Sequence, residues 1–340
     1  MKVIVAFLAL AAFASAVPLD TTPVVTDVLL AHINAEEPSY VAGHNSRFDG
    51  VSISEARGLL GTIFKTHYDL PVVSHSNFAV EDLPSDFDSR TQWPNYIHPI
   101  RDQGQCGSCW AVSAAEVLSD RFAIASNGSK QGSKPDGFSP EDLVSCDTVD
   151  QGCRGGYLDK AWNYISQTGL LTDTCFPYVA GTAGTPPCAT ACQTASEPFV
   201  RSKAKGGYQL KSVDDIKKEI FTNGPVQAGF MVYKSFFAYT SGVYHKGVFE
   251  FTPEGGHAIK ILGWGTEDNT PCVARAAAPS HHCVTLCAGT GFAPTAGAPP
   301  GALRASSRSS KATARSRSRC SPACPTCPKA PVRTSCSASP

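Results

Sequence analysis

From Cys272 to Pro340 the chain contains no Asp, Glu, Asn, Trp, Tyr or Ile. With no acidic residue and with Phe292 as its only Phe, Tyr or Trp, this stretch cannot build an ordinary packed core, and its composition is that of a disordered extension. Its nine Lys and Arg leave 29 acids against 20 bases in the first 271 residues, so the formal net charge of zero hides a basic tail behind an acidic body. A basic tail raises nucleic-acid or anionic-membrane binding; neither partner is expected here, because the tail's composition has another origin, given below. No apolar run after the N-terminus is long enough to cross a membrane as a helix. There is also no internal repeat, which sets aside repeat architectures.

At 340 residues and 42% apolar content, the chain has enough material for a sizeable core arranged in two or three domains or lobes. It opens with "MKVIVAFLALAAFASA", a Lys followed by a short apolar run and a small-x-small ending at Ala14-Ser15-Ala16. Residues 1–16 therefore read as a secretory signal, and the product is expected in solution, secreted or delivered to a lysosome- or vacuole-like compartment where disulfides persist. Seven cysteines precede the compositional break: Cys106, Cys109, Cys146, Cys153, Cys175, Cys188 and Cys192. Three bridges leave one thiol over, either an intermolecular link or a reactive group.

Residues 17–82 are polar and helix-leaning, as in "GVSISEARGLLG", and carry no catalytic constellation; they read as a pro-segment. A body dense in Trp, Cys and Gly runs from Leu83 to about Pro271, and the tail follows at 272–340. Within the body, Trp110, Ala114, Val117 and Leu118 recur at helical spacing and predict one buried helix face, with Cys109 in that helix's first turn. A second helix is predicted at "SVDDIKKEIFTNGP", capped by Ser212 and stopped by Asn223-Gly224-Pro225. "VQAGFMVY", "GVYHKGVF" and "HAIKILGWG" then read as strands. Helices first and strands second imply an α+β fold in two lobes with a cleft between them.

"DQGQCGSCW" is the most specific stretch. A thiol becomes a nucleophile when its thiolate is favoured, by the partial positive charge of a helix N-terminus and by a nearby imidazolium. Cys109 has the first by position, and His257 in "GGHAIKILGWG" is the candidate for the second. A lone Cys is usually a buried structural residue, a lone strand His usually has no catalytic part, and Gln103 alone would be a surface loop residue. Their joint occurrence in the right order argues otherwise.

From about Val28 to Pro271 the chain resembles the papain family of cysteine peptidases, its cathepsin B branch in particular. "SYVAGHNSRF", "LPSDFDSRTQWP", "RDQGQCGSCWAVSAAEVLSDR", "GCRGGYLDKAWNYI", "NGPVQAGFMVY" and "GGHAIKILGWG" carry the resemblance. It implies a papain-like fold with an α-helical left lobe and a β-barrel-like right lobe flanking an active-site cleft. It further implies Cys109 as nucleophile, His257 as general base and acid, and Gln103 as a side-chain donor joining the Cys109 N–H in the oxyanion hole. Gly155 and Gly156 match a Gly pair along which a substrate backbone lies. The implied disulfides are Cys106 with Cys153, Cys146 with Cys188, and Cys175 with Cys192. No metal or cofactor is implied. The expected partners are peptide or protein substrates and the chain's own pro-segment as inhibitor, on a monomer. Asn127-Gly128-Ser129 is a glycosylation sequon. One departure concerns specificity: where cathepsin B carries a long insertion with paired histidines, "CFPYVAGTAGTPPCATAC" is short and has none. An open cleft and endopeptidase action are therefore expected.

The family's orienting Asn sits on a Tyr-Trp-x-x-x-Asn-Ser-Trp-Gly stretch soon after "GWG", and none follows Trp264. Joining the last base of each tail codon to the first two of the next recovers it. Gly289-Thr290-Gly291 then permits Tyr-Trp, Pro294-Thr295-Ala296 permits Asn-Ser, Ala296-Gly297-Ala298 permits Trp-Gly, and Arg304 to Ser309 permits Gly-Phe-Phe-Lys-Ile. Residues from about 289 thus read as a C-terminal lobe in the wrong frame, and 272–288 as a translated intron. The alternatives are a genuine disordered extension, in which Cys324 and Cys327 would form a metal or redox pair, and a catalytically inactive papain-like binding protein.

Overall fold

Side-chain caps set where the first helices begin. Thr26 accepts the Leu29 amide at the start of α1 (Asp27–Ala35), and Ser52 with Glu55 forms a reciprocal capping box on α2 (Ile53–Gly58). Asp88 caps the short α3 (Ser89–Gln92). The computed structural model describes residues 20–267, apart from 37, 76–78 and 130–136, together with 270–276, 281–284 and 293–296. The signal sequence at 1–16, Cys324 and Cys327 lie outside the described residues.

α4 (Cys109–Ser126) starts at the predicted position and ends at Asn127, whose φ of 50° is left-handed. Its burial differs from the single face that the apolar spacing predicts: Cys109 through Ala123 is buried all round. Ala and Ser let neighbouring elements approach closely, and the buried charges are paired. Glu116 and Asp120 meet Lys260, while Arg121 meets Glu219. The left lobe packs α5 (Pro140–Cys146), α6 (Leu158–Gln167) and α7 (Ala180–Ala183) around α4, with Trp110, Leu143, Leu158, Trp162 and Ile165 at its centre. α8 (Val213–Asn223) starts as expected from Ser212, which accepts the Asp215 amide, and stops at Gly224 with φ 97°.

The strands are β1 (Tyr40–Ala42), β2 (Phe87–Asp88), β3 (Tyr208–Gln209), β4 (Val226–Val232), β5 (Tyr239–Tyr244), β6 (Gly255–Glu267), β7 (Thr270–Ala276), β8 (His281–Val284) and β9 (Ala293–Ala296). They form one sheet in the order β1-β5-β8-β7-β6-β4-β9-β3, with β2 also pairing β6. All neighbours are antiparallel except β5 and β8. Its two ends, β1 and β3, do not pair, so the right lobe is an open sheet and not a closed barrel. The predicted strand "GVYHKGVF" ends at Tyr244. Past it, Glu250 accepts the Gly247 amide and the Ser235 amide and hydroxyl, folding His245–Phe249 into a loop.

Three short pieces near the start of the tail, β7, β8 and β9, are strands, and the rest of the tail lies outside the described residues. Ladder hydrogen bonds come from the backbone, so an open sheet edge accepts extended chain with little regard to its side chains. β7 covers β6 and β9 covers β4 in this way.

The predicted pro-segment belongs to the same core as the right lobe: Val24, Val25, Ile33, Tyr40, Ile53 and Ala56 pack with Ile216, Phe230, Phe237 and Trp264. The two lobes meet through buried Gln227 on β4, which donates to the Trp110 carbonyl and the Ser113 hydroxyl and accepts the Trp162 indole N–H.

Candidate active site

Cys109 is the first residue of α4, 2% exposed, and the only free cysteine among the described residues. Ser108 at the N-cap makes no capping bond; its hydroxyl faces the Tyr178 hydroxyl instead, at 2.6 Å. The uncapped end of α4 therefore directs its partial positive charge at the Cys109 thiol. Burial nonetheless pushes the thiol pKa up, partly offset by hydrogen bonds from Thr62 and from the backbone of Ala258, Gly61 and Trp110.

Two of those partners belong to the pro-segment. Thr62 Oγ1 lies 3.3 Å from Cys109 Sγ, and Gly61 abuts the same atom. Around them the pro-segment runs as extended chain between two glycine walls. Gly156 N–H donates to the Gly61 carbonyl at 2.8 Å, Ile63 N–H to the Gly156 carbonyl at 2.9 Å, and Thr62 N–H to the Gly256 carbonyl at 2.9 Å. The Thr62 bridge to Gly156 is parallel. Both predicted glycines stand here for steric reasons. Gly155 has φ 116°, and a Cβ there would lie 2.8 Å from the Gly61 carbonyl; on Gly156 it would meet the Trp110 ring at 2.5 Å.

Across the cleft, β6 carries His257, half-buried, with the Phe230 ring edge-on at 5.8 Å between centroids. The neighbouring Ala258 backbone reaches the thiol. Gln103 completes the group, but its Nε2 donates to the Leu59 carbonyl at 2.9 Å and the Cys106 carbonyl at 2.7 Å. Cys109, His257 and Gln103 all line one cleft of 440 Å³, which extends to Val112, Glu116 and Lys260. Disulfides join Cys106 to Cys153, Cys146 to Cys188 and Cys175 to Cys192, and the first ties the Cys109 loop to the glycine wall.

The sequence reading missed the pro-segment's part at the nucleophile, because "LLGTIF" is too short and too ordinary to signal it. It also missed Tyr178, whose hydroxyl donates to the Gln103 carbonyl at 2.8 Å and so fixes that loop. Of the residues that the shifted frame concerns, Pro294, Thr295 and Ala296 lie in β9, while Gly289–Gly291 and Gly297 onward are outside the described residues.

The description "Papain family cysteine protease" matches residues 83–276. A Caenorhabditis elegans protein described as "Cathepsin B-like cysteine proteinase 3" is 37% identical over 275 residues, covering 71% of each chain. "Cathepsin B-like CP3" of Giardia intestinalis is 35% identical over 251 residues, covering 73% of this chain and 82% of that one. Among solved structures, "proCathepsin B S9 from Trypanosoma congolense" superposes with a TM-score of 0.73 at 30% identity, covering 82% of this chain and all of the other.

Proposed function

The chain belongs to the papain family of cysteine proteases, and from that premise we propose that it is a cathepsin B-like endopeptidase precursor whose nucleophile is Cys109. One observation carries the assignment of residues. The sole free thiol among the described residues heads a buried, uncapped helix, lines one cleft together with His257, and is covered by the pro-segment's Gly61 and Thr62.

When the pro-segment leaves, Gln103 Nε2 loses the Leu59 carbonyl and the thiol loses its cover. The Cys109 thiolate, paired with the His257 imidazolium, attacks a peptide carbonyl carbon. The resulting oxyanion takes hydrogen bonds from Gln103 Nε2 and the Cys109 N–H. His257 gives its proton to the leaving amine as the C–N bond breaks, leaving a thioester on Cys109. It then takes a proton from the water that hydrolyses that thioester. Gly155 and Gly156 supply the bare backbone edge along which the substrate lies.

The short segment between Cys175 and Cys192 supports endopeptidase action, since it holds no histidine to close the cleft's far end. The signal-like N-terminus supports secretion or delivery to a lysosome-like compartment. Residues 272–340 are read as an intron and a shifted frame, which supports an Asn as the third member of the catalytic group in the in-frame chain. Sequencing the transcript across the Pro271 codon tests this, and a cDNA retaining the insert as its major species would refute it.

The test of the function uses the mature form, obtained by cleavage before Leu83. A peptidyl epoxide should label Cys109 and a Phe-Arg peptide should be turned over, both abolished in Cys109→Ser. Absence of both would make the chain an inactive binding protein, and labelling without turnover would fit a half-assembled cleft.

A further inference from the structure

Serine is a favoured N-cap, yet Ser108 leaves the start of α4 without a side-chain cap. The amides that such a cap takes are those of Trp110 and Ala111. Ala111 N–H is already bound to the Ser108 carbonyl at 2.9 Å. Trp110 N–H donates to the Cys109 thiol instead. Thr62 and Gly61, which also bond that thiol, belong to the pro-segment and leave with it, so of these groups the mature domain keeps the Trp110 and Ala258 backbone.

Tyr178 diverts the Ser108 hydroxyl from its ordinary place. The two side-chain oxygens lie 2.6 Å apart, and Tyr178 gives its single proton to the Gln103 carbonyl at 2.8 Å, so Ser108 is the donor between them. Burial, with Glu141, Asp102 and Cys109 nearby, pushes the Tyr178 phenol up to about 12, and the direction of donation holds below that pH. The segment that carries Tyr178 is braced by the mature domain alone. Buried Glu141 accepts the Val179 and Ala180 amides at 2.7 and 2.9 Å, and the Gly181 carbonyl accepts the Gln105 amide at 2.8 Å. A Cβ on Gly104 would lie 2.5 Å from that same carbonyl, so the two backbones are in direct contact. Tyr178 itself does not line the cleft.

We propose that Tyr178 is a positioning residue for the reaction, acting at the nucleophile and at the oxyanion loop through one hydroxyl. By holding the Ser108 hydroxyl off the helix start, it leaves the Trp110 amide to the Cys109 thiolate. By holding the Gln103 carbonyl, it fixes the loop from which the Gln103 side chain meets the oxyanion. Without the phenol oxygen, Ser108 turns back to its ordinary cap and takes the Trp110 N–H. The inference rests on the peptidase reading above and adds a residue to it.

Tyr178→Phe removes that oxygen and keeps the ring. A thiolate that loses a donor forms less readily, so the pH midpoint of Cys109 alkylation by iodoacetamide in the mature enzyme, read on the mass of the Cys109 peptide, should rise. The rise should be about one unit, as expected for one hydrogen bond to a charged group. For a Phe-Arg peptide kcat should fall about tenfold with KM unchanged, less than the about 10²–10³-fold lost when an oxyanion donor is deleted. Adding Ser108→Ala to Tyr178→Phe removes the competing hydroxyl. The alkylation midpoint should then return to the parent value while kcat stays low, a split that a merely structural role for Tyr178 does not produce. A midpoint unmoved in Tyr178→Phe, or unrestored in the double variant, would overturn the proposal. Ser108→Ala alone keeps the proposal falsifiable if Tyr178→Phe does not fold: its midpoint should match the parent's, and a rise of about one unit would overturn the proposal by showing that the hydroxyl serves the thiol directly. Alkylation needs no turnover. A shift and its rescue in a parent that cleaves no peptide would keep the hold of Tyr178 on the thiolate and refute the peptidase; turnover with an unmoved midpoint would do the reverse.

Discussion

Gly61 is the residue on which the pro-segment's seat depends, and replacing it by Ala should unseat the cover from Cys109. A Cβ on Gly61 would overlap the carbonyl oxygen and carbon of Gly107 and lie 3.0 Å from its Cα. Gly107 has no room to retreat. Its N–H is bound to the Cys153 carbonyl at 3.0 Å, and the Cys106–Cys153 disulfide ties the same segment. The bonds given up are the three backbone hydrogen bonds to Gly156 and Gly256 and the Thr62 contact with the thiol. At about 0.5–1.5 kcal/mol each, these sum to about 2–6 kcal/mol. The seat should therefore open at least about 30-fold more often. α1 and β1 remain docked on the right lobe, so the loss is local. The assay is alkylation of Cys109 by iodoacetamide in the intact precursor, followed by the mass of the Cys109 peptide so that tail thiols do not interfere. Gly58→Ala is the control, since a Cβ there meets nothing within 4 Å. Labelling of Gly61→Ala no faster than that of Gly58→Ala would refute the reasoning.

Lys260→Met should cost about 3–5 kcal/mol in urea unfolding, because it strands Asp120, 2.9 Å away, and Glu116 in the interior without their cation; a loss under 1 kcal/mol would show that the acids are neutral there. Asp150 should make the protein less stable as pH rises. Its carboxyl is raised by burial and by Asp147 from 3.8 to about 8, so the folded state holds a proton that the unfolded state has released, and stability falls between those pH values. Thermal scans of Asp150→Asn should flatten that decline, at most about 1.4 kcal/mol per pH unit, and an unchanged slope would place the titration elsewhere. Replacing both Cys175 and Cys192 by Ala opens a loop of sequence separation 17 and should lower stability by about 3 kcal/mol, read as a shift in unfolding midpoint.

Local signals were enough to read several elements from the sequence. Ser212 with the Asn223-Gly224-Pro225 stop marks α8 nearly to the residue, and the β-branched runs mark β4 and β6, because caps and side-chain alternation act within a few positions. Where a distant partner decides, the sequence reading fell short. α4 shows an apolar stripe in sequence, yet it is buried on every side, since Glu116, Asp120 and Arg121 find their counter-charges 98 to 144 residues away on α8 and β6. Similarly, nothing in "HKGVF" announces that Glu250 will fold it out of the sheet.

The site divides along the same line. Cys109 was legible because a helix start and an odd cysteine are countable, whereas Thr62 and Lys65 matter only through what they touch. Thr62 meets a thiol 47 residues on, and Lys65 a carboxylate 94 residues on. The pro-segment sets the Thr62 hydroxyl and the Gly61 backbone opposite the nucleophile and an ammonium opposite Asp159. A pro-segment that must leave intact complementary groups behind is constrained to resemble what replaces it, at least in charge and hydrogen bonding.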